Sequence, residues 1–146
     1  AVTRSLSVEL TPPILPKEGL RKALKWLAVD MKKSHGLAVK VAVAAKTELP
    51  SDSTRLFVFR AVREFLLNAA KHASATSAAV RIRPLARNRV EVRVVDRGVG
   101  FDPKLRHPGS VGLFKIHQRA EHIGGELQVV SAPGKGTCIT LIVPRA

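Results

Sequence analysis

The sequence is poor in the residues on which several large classes of protein depend. Its 146 residues include one cysteine, Cys138, so neither an internal disulfide framework nor a cysteine-based zinc cluster is available. Cys138 lies in the β-branched run Thr137-Cys-Ile-Thr-Leu-Ile-Val143, the setting of a buried strand thiol rather than a nucleophile. There is no tyrosine and a single tryptophan, which leaves few flat side chains for stacking bases. No apolar stretch approaches the roughly 18 residues of a membrane span, and no signal peptide opens the chain. The first residue is Ala1 rather than methionine, as in an excised fragment. Together these features set the expectation of a reducing, cytoplasmic location. Acidic residues are also scarce: 25 Lys and Arg against 11 Asp and Glu give a net charge of +14. That excess concentrates any polyanion nearby, but it does not choose between nucleic acid, nucleotide and an acidic protein face. The basic residues are spread through every segment without a Lys/Arg-rich block, which weakens the nucleic-acid reading.

What is present is a foldable pattern. With 45% hydrophobic and 25% charged residues, the chain has the composition of one soluble globular domain. Residues 1–16 end in Leu10-Thr-Pro-Pro-Ile-Leu-Pro16, read as a linker, and the domain proper spans 17–146. From Lys17 to about His35, Leu20, Ala23, Leu24, Leu27, Ala28 and Met31 recur at helical spacing, and Gly36 stops the helix. The valine-rich stretch Leu37–Ala45 alternates as a strand. Ser51 or Ser53 caps a second helix reaching about Ala73. Ala79–Pro84 and Arg89–Asp96 alternate basic with apolar residues around Ala86-Arg-Asn88, an antiparallel hairpin with one wet face. Arg97–Ser110 reads as a loop and Val111–Ile123 as a third helix ended by Gly124-Gly125. Glu126–Ser131 and Thr137–Val143 form a closing hairpin through Pro133-Gly-Lys-Gly136. This order predicts an α+β fold, a two-layer α/β sandwich with three helices on one face of a mixed, mostly antiparallel sheet.

Four elements carry polar chemistry. On the second helix Glu64, Asn68, Lys71 and His72 share one stripe, able to hold a metal-bound phosphate chain; an ordinary solvated helix face gives the same spacing. Asp96 ends a valine strand just before Gly98 and Gly100, putting an acceptor beside a loop whose backbone can approach a ligand; a plain strand end with turn glycines looks alike. Gly109-Ser-Val-Gly-Leu113 leads into the third helix, whose free N–H groups can bind an anion. Gly134-Lys-Gly-Thr137 needs no more than a tight hairpin to explain it. Two common nucleotide signatures are excluded. The Gly134-Lys-Gly-Thr137 spacing is not that of a P-loop, and Pro103 stands where the dinucleotide fingerprint has its third glycine.

In this order and at these separations, the four elements resemble the ATP-binding domain shared by histidine kinases, gyrase, Hsp90 and MutL, the Bergerat fold. Arg63-Glu-Phe-Leu-Leu-Asn-Ala-Ala-Lys-His72 looks like the N box of that family, and Asp96-Arg-Gly-Val-Gly100 and Gly109–Leu113 look like its two glycine boxes. Glu121-His-Ile-Gly-Gly-Glu-Leu127 and Ser131-Ala-Pro-Gly-Lys-Gly-Thr137 resemble the histidine-kinase version of the closing segment. Leu10-Thr-Pro-Pro-Ile-Leu and Gly19-Leu-Arg-Lys-Ala-Leu-Lys-Trp-Leu27 resemble the opening segment of sensor kinases paired with helix-turn-helix response regulators.

The resemblance implies binding of ATP with Mg²⁺, and transfer of the γ-phosphoryl group to a histidine on a dimerisation domain upstream of Ala1. Asp96 would accept from the adenine amine, with Thr137 fixing a water between carboxylate and ring. Asn68 would be the side-chain ligand of Mg²⁺, Lys71 and His72 would meet the phosphates, and Glu64 would polarise the incoming histidine or help organise the metal shell. Gly98, Gly100, Gly112 and Leu113 would border the nucleotide. The implied partners are the upstream domain, a helix-turn-helix response regulator and, in the full-length protein, a second copy; no direct contact with nucleic acid is implied. Two features depart from the family pattern: Ser110 replaces a customary glycine, and the stretch between Asp102 and Gly109 is short. His35, His72, His107, His117 and His122 all lack the acidic residue that follows the family's phosphoacceptor histidine, so the acceptor is expected outside this chain. Two rival readings are a serine kinase of the anti-sigma-factor kind on the same fold, against which Pro12-Pro13 and Trp26 argue, and a basic nucleic-acid-binding module.

Overall fold

A computed structural model of the chain describes residues 15–102 and 110–145. Residues 1–14 of the expected linker, His107 and Gly109 lie outside the described residues. The elements run α1 (Leu15–His35), β1 (Ala38–Val43), α2 (Asp52–Lys71), β2 (Ser77–Leu85), β3 (Arg89–Asp96), α3 (Ser110–His122), β4 (Glu126–Ser131) and β5 (Thr137–Pro144).

The apolar stripe of α1 buries Leu20, Ala23, Leu24, Leu27 and Met31, as its periodicity requires. The helix begins two residues earlier than expected but is interrupted at Gly19, whose φ of 80° only glycine adopts readily. Gly36, at φ 69°, ends it, and its N–H donates to the Lys32 carbonyl at 3.0 Å. For α2 the cap is Ser51, whose hydroxyl accepts from the Thr54 N–H at 3.3 Å, while Asp52 places a negative charge in the first turn.

The five strands form one sheet in the order β1-β2-β3-β5-β4. β1 and β2 are parallel because α2 carries the chain back between them; every other pair is antiparallel. Arg87 and Asn88, both at positive φ, turn the β2–β3 hairpin. One face of the sheet presents Val80, Ile82, Val90, Val92, Val94, Ile139, Leu141 and Val143 to the helices, all buried. Between the layers lie Phe59, Phe65, Leu66, Val58 and Val62 of α2, with the Trp26 ring of α1 6.4 Å from that of Phe59. The opposite face carries Arg81, Arg83 and Arg93 around Glu91, which accepts two hydrogen bonds from Arg83, at 2.8 and 3.3 Å. The expected two-layer α+β sandwich is therefore the observed architecture. Among the described residues no helix is long and apolar enough to cross a membrane.

Candidate functional site

The ends of the two central strands make the floor of a cavity. Asp96 closes β3 and Thr137 opens β5, and the strand register sets them directly opposite each other. Both are buried, at 8% and 6% exposure, so their polar atoms need defined partners. One carboxylate oxygen of Asp96 accepts from the Gly98 N–H at 2.8 Å. Burial raises the pKa of Asp96 above its ordinary value, and the Gly98 and Thr137 amides oppose that rise. Three close backbone approaches fix the loops. A Cβ on Gly136 would lie 2.5 Å from the Asp96 carbonyl, one on Gly98 2.6 Å from the Ala73 Cβ, and one on Gly100 would fall on the Ala132 carbonyl. Val99 and Gly134 extend the lacing: the Val99 N–H donates to Ala73, and the Gly134 N–H donates to Val99.

The walls come from helices. The cavity, about 430 Å³ with its open mouth, is lined by Phe65, Asn68, His72 and Ala73 of α2 and its C-terminal end, Leu113 of α3 and Phe101 of the loop. Asp96, Gly100, Thr137 and Ile139 complete the lining. A mostly apolar chamber with a few convergent polar groups at its base is the usual form of a small-molecule site. The Asn68 side-chain amide nitrogen is buried without a hydrogen-bond partner among the described residues, and an orphaned polar group of this kind asks for a ligand.

The structure divides the expected four-residue stripe on α2. At about 100° per residue, taking Glu64 as zero, Lys71 falls about 20° to one side while Asn68 and His72 fall about 40° and 80° to the other. Accordingly Asn68 and His72 line the cavity. Glu64 instead faces a neighbouring groove between α2 and α3, with Arg60, Arg63, Gly112, Lys115 and Arg119. Lys71 is exposed and borders neither. Two glycines also differ in use from the expectation. Gly98 packs on Ala73, and Gly112 packs on Glu64, so that a Cβ on Gly112 would lie 2.7 Å from the Glu64 carboxyl carbon. Neither lines the cavity, whereas Gly100 and Leu113 do. Sequence reasoning missed Phe65, Ala73, Phe101 and Ile139. Ile139 was within reach of it, being two residues beyond Thr137 on the same strand face, and so was Phe65, one helical turn before Asn68.

The described residues contain no group of three or more His, Cys, Asp or Glu able to hold a metal by themselves. Glu64 faces the other groove, so Asn68, through its side-chain oxygen, is the α2 group of the cavity that suits a hard ion such as Mg²⁺, which commonly keeps waters and takes its remaining ligands from phosphates.

Residues 53–146 match the family described as histidine kinase-, DNA gyrase B-, and HSP90-like ATPase, and the chain belongs to that family. Two curated relatives are named as histidine kinases. It is 33% identical over 148 residues to an uncharacterized sensor-like histidine kinase of Chloroflexus aurantiacus, and 34% identical over 145 residues to the oxygen sensor histidine kinase NreB of Staphylococcus carnosus. These matches take in 97% of the chain but only 25% and 41% of the relatives, so the chain spans well under half the length of either. Among solved structures, the histidine kinase domain of the Erythrobacter litoralis EL346 blue-light activated histidine kinase superposes with a TM-score of 0.68 at 26% identity. That superposition covers 86% of this chain and 61% of the other.

Proposed function

We propose that the chain binds ATP with Mg²⁺ and donates the γ-phosphoryl group to a histidine on a separate dimerisation and phosphoacceptor domain. The resulting sensor histidine kinase would work in the cytoplasm as a dimer and signal to a helix-turn-helix response regulator. The single observation that carries this reading is the pairing of Asp96 and Thr137 at the base of an apolar cavity, with the unpartnered Asn68 amide at its side. Asp96 offers the adenine amine a charged acceptor, Phe101, Leu113 and Ile139 enclose the ring, and Asn68 with His72 meets the phosphate end. When bound, Mg²⁺ would neutralise phosphate charge. Arg60, Arg63, Lys115 and Arg119 give the adjoining groove a field that holds an anionic tail, and Glu64 stands where it can polarise an arriving imidazole.

Nucleotide-dependent thermal shifts with Mg²⁺ and with EDTA test the proposal. The wild-type chain should gain stability from ATP, and gain more with Mg²⁺; Asn68→Ala should lose the Mg²⁺ increment and keep the gain from ATP alone. A full increment in the mutant would remove Asn68 as the ligand. Salt-dependent DNA binding with no response to nucleotide would favour the nucleic-acid reading.

A further inference from the structure

The hairpin joining β4 to β5 grips the loop after β3 at three successive residues. The Gly134 N–H donates to the Val99 carbonyl at 2.6 Å, Gly100 packs against the Ala132 carbonyl, and the Phe101 N–H donates to the Ser131 hydroxyl at 2.9 Å. The first two contacts are backbone on both sides. The third ends on a side chain, so a single substitution can remove it while the backbone contacts stay. Ser131, the last residue of β4, is itself held in place: its hydroxyl lies 3.0 Å from the Gly136 carbonyl and 2.8 Å from the Thr137 hydroxyl. An N–H only donates and a carbonyl only accepts, so the Ser131 oxygen receives the Phe101 hydrogen and gives its own to Gly136.

The residue held in this way is a partition. Phe101 and Leu113 line the cavity on one side and, on the other, an open groove between α3 and β4 bordered by Phe114, His117, Leu127 and Val129. With the cavity in front of it and about 680 Å³ of open groove behind, the Phe101 ring has few packing atoms on either side to lock it. Its place is set through its backbone. We propose that Ser131 is a positioning residue for the nucleotide: by holding the Phe101 amide it keeps the aromatic ring standing as the wall beside the base, instead of leaning into the groove. The inference rests on the reading of this cavity as a nucleotide site. Ser131 does not line the cavity and acts only through Phe101. A wall already in place spares the ligand the cost of ordering it on binding.

The test is calorimetric titration of the 146-residue chain with ADP, in Mg²⁺ and in EDTA. Ser131→Ala should weaken ADP by about fivefold, the worth of one neutral hydrogen bond. The ratio of the Mg²⁺ to the EDTA affinity belongs to the phosphate end and should not change. In a Phe101→Ala background the amide remains but the ring is gone, so adding Ser131→Ala should cost no further affinity. In a Thr137→Val background the fivefold loss should persist, which separates this route from the contact between the two hydroxyls. Ser131→Thr, which keeps the hydroxyl, should restore the affinity. A merely structural role would lower the thermal midpoint with or without the ring and would show no coupling to Phe101 in ADP affinity. If Ser131→Ala does not fold, Ser131→Cys, which is similar in size and a weak hydrogen-bonding group, carries the same expectation. Unchanged ADP affinity in the folded variant, or a loss that persists without the Phe101 ring, overturns the role of Ser131 while leaving nucleotide binding intact. Failure of the wild type to bind ADP overturns the nucleotide reading and this inference with it.

Discussion

Asp96 and Glu91 stand five residues apart on β3 and point to opposite faces, and their environments push their acidities in opposite directions. The Arg83 hydrogen bond holds Glu91 below its ordinary pKa, whereas burial lifts Asp96 above its own. The stability consequences are of opposite sign. Between the usual carboxylate value and the raised value of Asp96, the folded state binds the proton more readily, so this group makes the fold less stable as pH rises through that window. Glu91 stabilises above its unfolded pKa, and that contribution is lost as pH falls through its lowered folded value. For ligand binding, Asp96 accepts from an amine most strongly when ionised, so ADP affinity should begin to fall on acidification at a pH above the ordinary 3.8 of an aspartate. Titration calorimetry across that range checks this, and Asp96→Asn should flatten the pH profile. At neutral pH the same substitution should lower affinity by roughly one to two decades, the worth of a charge-assisted hydrogen bond. The role of Asp96 was legible in the sequence because an acid ending a valine strand before two glycines is a local pattern. The contacts of the Ser131 hydroxyl with the Phe101 N–H, the Gly136 carbonyl and the Thr137 hydroxyl were not, because they depend on a pairing of β4 with β5 that spacing alone does not specify.

Among the elements, two glycines that look equivalent in the sequence are held by different neighbours. The missing Cβ of Gly98 is answered by the backbone of Ala73, which ties the loop after β3 to the end of α2. That of Gly112 is answered by the Glu64 side chain, which can swing away. Gly98→Ala should therefore destabilise by about 1–3 kcal/mol, the usual cost of overpacking. Gly112→Ala should cost less, helped by the better helix propensity of alanine. Combining Gly112→Ala with Glu64→Ala should relieve what strain remains. Urea denaturation of the three variants checks the order. The spans of α2, β3, α3 and β4 followed closely from periodicity and caps, because each has its own local signal. The parting of Glu64 and Lys71 from Asn68 and His72 was harder to foresee. A stripe about 100° wide looks like one face on paper, but α3 packs along α2 so that Glu64 falls in one cleft and Asn68 and His72 in another, while Lys71 borders neither.

For the whole molecule, the proposed phosphoryl transfer implies an acceptor histidine supplied by another domain. His72 lines the cavity, His117 pairs with Glu121 at 3.2 Å on α3, and His35 and His122 are exposed near helix ends. Transfer requires an acceptor nitrogen held in line with the γ-phosphate, and that positioning supplies much of the rate. Radiolabelled ATP should therefore leave this chain unlabelled under conditions that preserve phosphohistidine, while a phosphoacceptor domain added in trans should become labelled, though weakly without a linker. Stable label on any of the five histidines would contradict this. The strand order also bears on how the protein comes to be folded. Asp96 and Thr137 face each other only through the β3–β5 ladder, which closes over α3 and β4 and joins segments more than forty residues apart in the chain. Long-range ladders of this kind form late, after loop closure has been overcome. An incompletely folded chain therefore has no floor to the cavity and no purchase on a nucleotide, so bound ligand acts on the all-or-none folding equilibrium rather than on one corner of the structure.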